Sequence, residues 1–461
     1  MSTLRHQVLK RGIFPFAQFV LRGQFWSKAR EFKKLQWMPQ KDLEYRQTRR
    51  LKRILIHAYE NVPFYSKKFK EAGFSPYGLR KKGDIMRIPV ITKEEIRRNF
   101  PTEITAMNIG RKRWKIDSTS GSSGEPLIFY RDAITDDMKV ASDILFNNWC
   151  GIEPGDSTLW ITHPRQIKVR NWVEYIRRIL WNSTTNLRWL SVSDLQEQNA
   201  LAVVKFIEKV RPRCLYGYTS GLLMLARCFR QYGGSSRSNV KAIISSAETL
   251  SPHHKQIIEQ TFGCDVFNRY GMRELGGSVA QDCEEHTNLH VNSELYLVEI
   301  TRDGESVAPG ERGSVVVTDL HNMVMPIIRY KVGDIALSEG SSCSCGRGFP
   351  TIKAIEGRQT EFVNIRTPSG KIITHPGYFF VLGDFVEYIR QFQFVQEKLD
   401  ELVVKIVPCE TFNSIVAEKI RKFLSHTIGD EMTIKLEIVD EIPAERSGKR
   451  PIVKSRIPPI V

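Results

Sequence analysis

The chain is predicted to be an α/β protein, with a large multi-subdomain α/β body followed by a small α+β carboxyl-terminal domain. Its 461 residues exceed what one hydrophobic core usually supports, so at least two domains are expected. From Trp114 to about Glu356, short apolar runs alternate with helix-like stretches, the pattern of an α/β body. Beyond Gly357 the pattern changes: Leu402 to Val407 and Thr433 to Val439 read as strands flanking a helical stretch from Asn413 to Ser425. The main division therefore falls at Gly357 and Arg358, giving a leader over 1–41, a body over 42–357 and a small domain over 358–461.

Hydrophobic residues make up 41% and charged residues 26%, ordinary globular usage that excludes a disordered or fibrous chain. The formal charge of +17 is uneven, since nine Lys or Arg precede Asp42 against one acid, Glu31. With Phe14, Phe16, Phe19, Phe25 and Trp26 among those charges, the leader has the make-up of a segment for an anionic membrane surface or a pathway protein. A basic, partly helical arm packed on its own domain has the same composition. No nucleic-acid motif accompanies the charge, so nucleic acid is not an expected partner. The apolar run from Ile13 to Leu21 falls short of the ~20 residues that span a bilayer, and no good cleavage site follows it. The expected location is the cytoplasm, or peripherally the inner face of the membrane.

Between Asp42 and Asn61, Leu51, Ile54, Leu55 and Ala58 recur at helical spacing, which predicts an amphipathic helix ending at Pro63, with a turn after it. Thr92 and Glu95 form a candidate capping box for the next helix. Farther on, Ser157 to Ile161, Ala242 to Ser245 and Leu295 to Ile300 read as strands and Ala200 to Val210 as a helix.

The run Ser118-Thr119-Ser120-Gly121-Ser122-Ser123-Gly124 lies between two strand-like segments, Trp114 to Ile116 and Leu127 to Tyr130. Glycines let successive N–H groups turn toward one point, and such a nest with added hydroxyls suits a polyphosphate. It lacks the Walker spacing, which argues against a kinase or P-loop ATPase. Taken alone, the same residues also suit a hairpin loop with no chemistry.

Together with Asn268-Arg269-Tyr270-Gly271-Met272-Arg273-Glu274, Arg329-Tyr330-Lys331-Val332-Gly333-Asp334, Gly357-Arg358 and Ser447-Gly448-Lys449, the loop resembles the ordered motif set of the adenylate-forming enzyme superfamily. The segments His57 to Tyr65 and Ile88 to Glu94 bring the resemblance closest to the phenylacetate-CoA ligase family and its capsular polysaccharide CapK-like branch. The similarity spans roughly Asp42 to Arg456.

The resemblance implies ATP-dependent activation of a carboxylic acid as its acyl-AMP, then transfer to a thiol such as coenzyme A, or to an amine or amino sugar. It assigns the β- and γ-phosphates of ATP to Ser118 through Gly124, adenine to Tyr270 and Gly271, Mg²⁺ to Glu274, and the ribose hydroxyls to Asp334 with Arg358. Ala247 and Glu248 fall in the family's adenine-flanking turn. Arg273 stands where the family usually has Thr or Ser, so a hydroxyl contact near the α-phosphate is replaced. The residue at the interdomain hinge, near Thr360 and Glu361, stays open. Lys449 is the implied catalytic lysine, brought by the small mobile domain to the charge that builds on the transferring phosphoryl group, with Lys454 as the second candidate. A non-catalytic nucleotide-binding scaffold of a polysaccharide or membrane assembly would keep the loop but needs no such lysine.

Cys283, His290, Cys343 and Cys345 supply three thiolates and one imidazole, the closed set of a structural Zn²⁺ site, with His286 as the competing imidazole. Four scattered residues of unrelated function have the same composition. Aromatic side chains between Trp149 and Gly221, including Trp181 to Trp189 and Tyr216 to Tyr218, are candidates for the acyl pocket and equally for core. Neither the acid nor its acceptor is specified by the sequence.

Overall fold

The structure is a computed structural model that describes residues 8, 12, 24–110, 114–119, 126–162, 185–195, 199–232, 239–340, 342–366, 372–376, 382, 385, 388–428, 432–443 and 451–457. Helices dominate its first hundred residues. Helix α1 (Phe25–Leu35) buries Phe25, Ala29, Phe32 and Leu35, so this part of the basic leader packs on the body. Helix α2 (Gln40–Asn61) buries Leu43, Gln47, Leu51, Ile54, Leu55 and Ala58 along one stripe. The turn expected after it is a single extended residue, Val62, because Pro63 opens α3 (Pro63–Glu71), where a missing N–H costs nothing. Helix α4 (Lys93–Asn99) has the anticipated capping box: Glu95 N donates to Thr92 Oγ1 and Thr92 N donates to Glu95 Oε2.

Strands β1 (Lys115–Ser118) and β2 (Ile128–Arg131) form an antiparallel hairpin around the Ser/Gly run. Helix α5 (Ala133–Trp149) follows, capped by Asp132. The α/β body then runs β3 (Thr158–Thr162), β4 (Leu187–Ser191), α6 (Ala200–Val210), β5 (Cys214–Tyr218), α7 (Thr219–Tyr232), β6 (Ala242–Ser246), α8 (Pro252–Phe262), β7 (Val266–Met272), β8 (Gly277–Asp282) and β9 (Leu289–Val291). With β14 (Thr351–Ile352) these strands make one sheet in the order β14-β9-β8-β7-β6-β5-β3-β4, parallel from β4 to β7 and antiparallel beyond. Parallel neighbours need crossovers, and α7 and α8 supply them for β5-β6 and β6-β7.

A second, antiparallel sheet contains β10 (Tyr296–Arg302), β11 (Glu305–Ser306), β12 (Arg312–Asp319), β13 (Tyr330–Leu337) and β15 (Ala354–Arg358). It is stitched to the amino-terminal helices at Ile91, whose N–H donates to Arg329 O and whose carbonyl accepts from Lys331 N, both at 2.9 Å. After Arg358 come the hairpin β16 (Phe362–Arg366) and β17 (Ile372–Pro376), then β18 (Ile389–Lys398), β19 (Glu401–Pro408), α9 (Ser414–Ile428), β20 (Thr433–Ile438) and β21 (Val453–Ser455). The last four strands form a mixed sheet, β20-β19-β18-β21, with its own core around Phe394, Leu402, Val404, Ile406, Ile420 and Leu424. The α/β class expected from the sequence is the class observed.

Candidate active site

A cavity of about 1450 Å³ lies between the body and the carboxyl-terminal sheet. The body contributes Ala247, Glu248, Tyr270, Asp334 and Arg358 to its wall, and β21 contributes Lys454. Ala247 and Glu248 stand just past the carboxyl end of β6 and Tyr270 near that of β7, where an open α/β sheet leaves room for a ligand, while Asp334 within β13 and Arg358 at the end of β15 come from the second sheet.

Tyr270 and Asp334 meet directly, the phenol donating to Oδ2 at 2.6 Å. The guanidinium of Arg358 stands 3.4 Å from the other carboxylate oxygen. Asp334 holds the Arg358 pKa above its ordinary value, and burial together with Asp334 raises that of Tyr270, so the guanidinium stays charged and the phenol neutral. Glu274 lies behind them, 9% exposed, and accepts from Tyr330 Oη at 3.4 Å. Gly271 must be glycine, because a Cβ there would meet the Gly277 carbonyl across the β7-β8 pair. Ala247 holds a left-handed backbone at φ 68° beside the cavity, an uncommon conformation for a residue with a Cβ. Glu248 accepts from Ser220 N at 2.7 Å and Ser220 Oγ at 3.1 Å, so its carboxylate satisfies an amide at the start of α7.

Lys93, at the first position of α4, was not singled out by its residue type. The structure brings it beside Glu274 and Arg358, and burial, then Arg97, lowers its pKa while Glu274 opposes that shift. The available sequence signal was its place immediately after the capping Thr92 in the Ile88 to Glu94 segment.

Thr119 closes the base of the Ser/Gly loop: its N–H donates to Leu127 O and its hydroxyl accepts from Leu127 N, both at 2.9 Å. Arg273 donates to Ser118 O at 3.0 Å, tying the turn after β7 to that base, while Arg131 holds Asp117 at 2.7 Å from the other side. Ser120, Gly121, Ser122, Ser123, Gly124 and Lys449 lie outside the described residues.

One terminal atom from each of Cys283, His290, Cys343 and Cys345 lies within 4.8 Å of the others. The Cys283 and Cys343 sulfurs are 3.7 Å apart, and Cys345 Sγ is 3.5 Å from His290 Nε2. Zn–S bonds of ~2.3 Å in a tetrahedron put sulfurs roughly 3.8 Å apart, so the donor set and its spacing fit zinc. His286 instead has its Nδ1 2.8 Å from Asp282 Oδ2 and its ring against Phe267. Arg347 supports the group: its N–H donates to Cys345 Sγ, and its guanidinium is held between the rings of Trp37 and Trp149.

Residues 190–325 match the AMP-binding enzyme family and residues 365–456 match the CapK C-terminal domain. Protein CapK of Staphylococcus aureus is 24% identical over 95% of this chain and 96% of its own length. Phenylacetate-coenzyme A ligase of Thermus thermophilus is 25% identical over 84% of this chain and 86% of its own length. Among solved structures, 2-hydroxyisobutyryl-CoA ligase in the postadenylation state, in complex with R3-HIB-AMP, shares the fold with a TM-score of 0.75 at 21% identity, covering 92% of each chain. Motif order, both family matches and relatives aligned along most of the chain point the same way: the chain is similar to the adenylate-forming enzymes and, among them, to the phenylacetate-CoA ligase-like CapK branch.

Proposed function

We propose that the chain uses ATP to activate a carboxylic acid as an acyl-adenylate and then passes the acyl group to coenzyme A or to an amine, including an amino sugar of a capsule or exopolysaccharide pathway. The carrying observation is the convergence of Tyr270, Asp334 and Arg358 on one wall of the large cavity. A carboxylate fixed by a phenol and a guanidinium keeps lone pairs for vicinal ribose hydroxyls, and the flat face of Tyr270 offers a surface for adenine.

The Ser118 to Gly124 nest receives the β- and γ-phosphates, with its base clamped by Thr119 and Arg273. Glu274 is the carboxylate for Mg²⁺, which neutralises polyphosphate charge when bound. Lys93 and Arg358 place two further cations beside Glu274. Lys449, with Lys454 on the cavity wall as the second candidate, stabilises the negative charge that develops as the acid's carboxylate oxygen attacks the α-phosphate and pyrophosphate leaves. Catalysis here is positioning and electrostatics, with no proton-transfer pair required. Residues 358–461 act as the lid on the body of 42–357. Cys283, His290, Cys343 and Cys345 hold a structural Zn²⁺.

Among the described residues no helix is long and apolar enough to cross a membrane, and the basic leader is the segment proposed to meet an anionic surface or pathway protein. ATP–pyrophosphate exchange across aryl, aliphatic, hydroxy and amino acids tests the reading. Exchange supported by a subset of acids and reduced roughly 100- to 1,000-fold by Lys449→Ala is the expected result. ATP binding with no exchange for any acid would refute it.

A further inference from the structure

The face of α5 turned toward β7 and β8 carries charge where a purely apolar acyl group would call for aliphatic walls. Lys139, Asp143 and Asn147 recur every four residues and so form one row along the helix. Opposite them Arg269, 4% exposed, donates from Nη2 to Asn147 Oδ1 at 2.7 Å and from Nε to Gln281 Oε1 at 2.6 Å. Its Nη1 stands 3.9 Å from Asp143 Oδ1, an oxygen that also accepts from Ser278 Oγ. The guanidinium lies over the rings of Tyr216 and Phe146, so Arg269 is held on every side.

Lys139 is not held in this way. Its methylenes run along Gly277, where an added Cβ would meet Lys139 Cε at 2.5 Å, so glycine there makes the channel for this side chain. Its ammonium has no hydrogen bond and no ion pair within 4 Å among the described residues. Burial lowers the Lys139 pKa, with Asp143 the largest opposing influence. Nearby, Arg131 answers Asp117 and Lys115 answers Asp136, which leaves Lys139 and Arg269 facing Asp143 with one positive charge in excess. A partly desolvated ammonium without a partner is unfavourable unless a ligand supplies the acceptor.

The row also adjoins the nucleotide cavity. Arg269, Gly271 and Met272 line that cavity, and Gly271 packs against the backbone of Gly277, over which Lys139 lies. Lys139 itself stands one layer behind this wall, beyond the Gly271–Gly277 contact, so an acyl group joined to a nucleotide held by Tyr270 and Asp334 would extend past that contact to bond to it. We propose that the acid activated by this chain carries a second acceptor group, a hydroxyl or a further carboxylate, that bonds to the Lys139 ammonium, and that plain aryl and alkyl acids are poor substrates. This rests on the adenylation reading above and specifies the substrate class of the same site.

The test is pyrophosphate exchange with isosteric pairs, succinate against 4-methylpentanoate and 3-hydroxybutyrate against 3-methylbutyrate, with phenylacetate as the aryl reference. The polar member of at least one pair should lead by about 100-fold in kcat/KM, as expected when a buried polar group is left unpaired by the wrong substrate. Lys139→Met should erase most of that preference through KM for the acid, while KM for ATP stays within about twofold. Lys139→Arg, which keeps the cation, should retain part of the preference. Equal or better exchange with the apolar members or phenylacetate overturns this inference and leaves the adenylation reading standing. So does an unchanged preference in Lys139→Met. No exchange with any acid overturns both. If Lys139→Met does not fold, the ratio within each pair for the native chain still decides.

Discussion

Arg329 stands first in a motif that reads as a nucleotide contact, yet the structure buries it at 1% exposure with φ at 48°. Its guanidinium donates to the carbonyls of Met86, Ile88 and Gly304 and pairs with Glu299, so it joins the amino-terminal helices to the second sheet. Arg329→Met strands three carbonyls and a buried carboxylate and should cost roughly 3–5 kcal/mol, read as a lower midpoint in urea. His254 offers a pH test at the same scale. Burial, then His253 and Arg227, lowers its pKa to about 4, whereas the unfolded chain protonates it near 6.5. Between those values the unfolded state binds the extra proton. The contribution is therefore complete above about pH 6.5 and is lost as pH falls toward 4, by up to about 3 kcal/mol. His254→Gln should flatten the dependence of the urea midpoint on pH across that window, and an unchanged slope would count against it.

At the scale of elements, the cysteine and histidine group ties three pieces that secondary structure alone holds loosely. Cys283 follows β8, His290 lies in the three-residue β9, and Cys343 and Cys345 precede β14, which pairs with β9 through only Thr351 and Ile352. Such short strands have little stability by themselves. The loop reaches the amino-terminal helices too, since Gly348 N donates to Gln36 O at 2.8 Å and Arg347 Nε to Gln36 Oε1 at 3.0 Å. The expected result is one zinc per chain by elemental analysis. Cys345→Ala should remove it and lower Tm, because metal-binding energy is folding energy here. It should also speed hydrogen exchange at β9, β14 and α1 while the carboxyl-terminal sheet stays protected. A metal-free native chain with the same Tm would exclude the site.

For the whole molecule, the proposed activity would depend on how the carboxyl-terminal sheet meets the body across the large cavity. The connection runs through Gly357, whose φ of 126° is open to glycine and strained for other residues. A Cβ there would also meet Glu361 Oε2 at 2.8 Å and Thr249 Oγ1 at 3.2 Å. That Glu361 oxygen accepts from Arg358 N, so the turn that fixes the guanidinium facing Asp334 is the turn that launches the second domain. Gly357→Val should introduce about 1–3 kcal/mol of strain. Exchange is expected to fall about tenfold or more, with zinc content unchanged. Full activity in this variant would show that the connection tolerates displacement.

Much of the architecture is a local property of the chain and so was legible before folding. The stripe of Leu51, Ile54, Leu55 and Ala58, the Thr92-Glu95 cap, the apolar runs of β3, β6 and β10, and the change of pattern after Gly357 are periodicities and caps set by neighbours in sequence. The resemblance of five ordered motifs pointed to the cavity wall on which Tyr270, Asp334 and Arg358 meet. Only tertiary structure decided which charged residues line the cavity and which brace the fold. It buried Arg329 as a strut, turned Arg273 onto Ser118 O, gave His290 and not His286 to the metal-type cluster, and brought Lys93 beside Glu274. It also set Lys139 facing Asp143 and Arg269 along a helix whose polar row looks, in sequence, like solvent-exposed surface. The reason is physical: periodicity reports which face of an element is apolar, whereas the partner of a charge is set by strands and helices that lie far away in sequence.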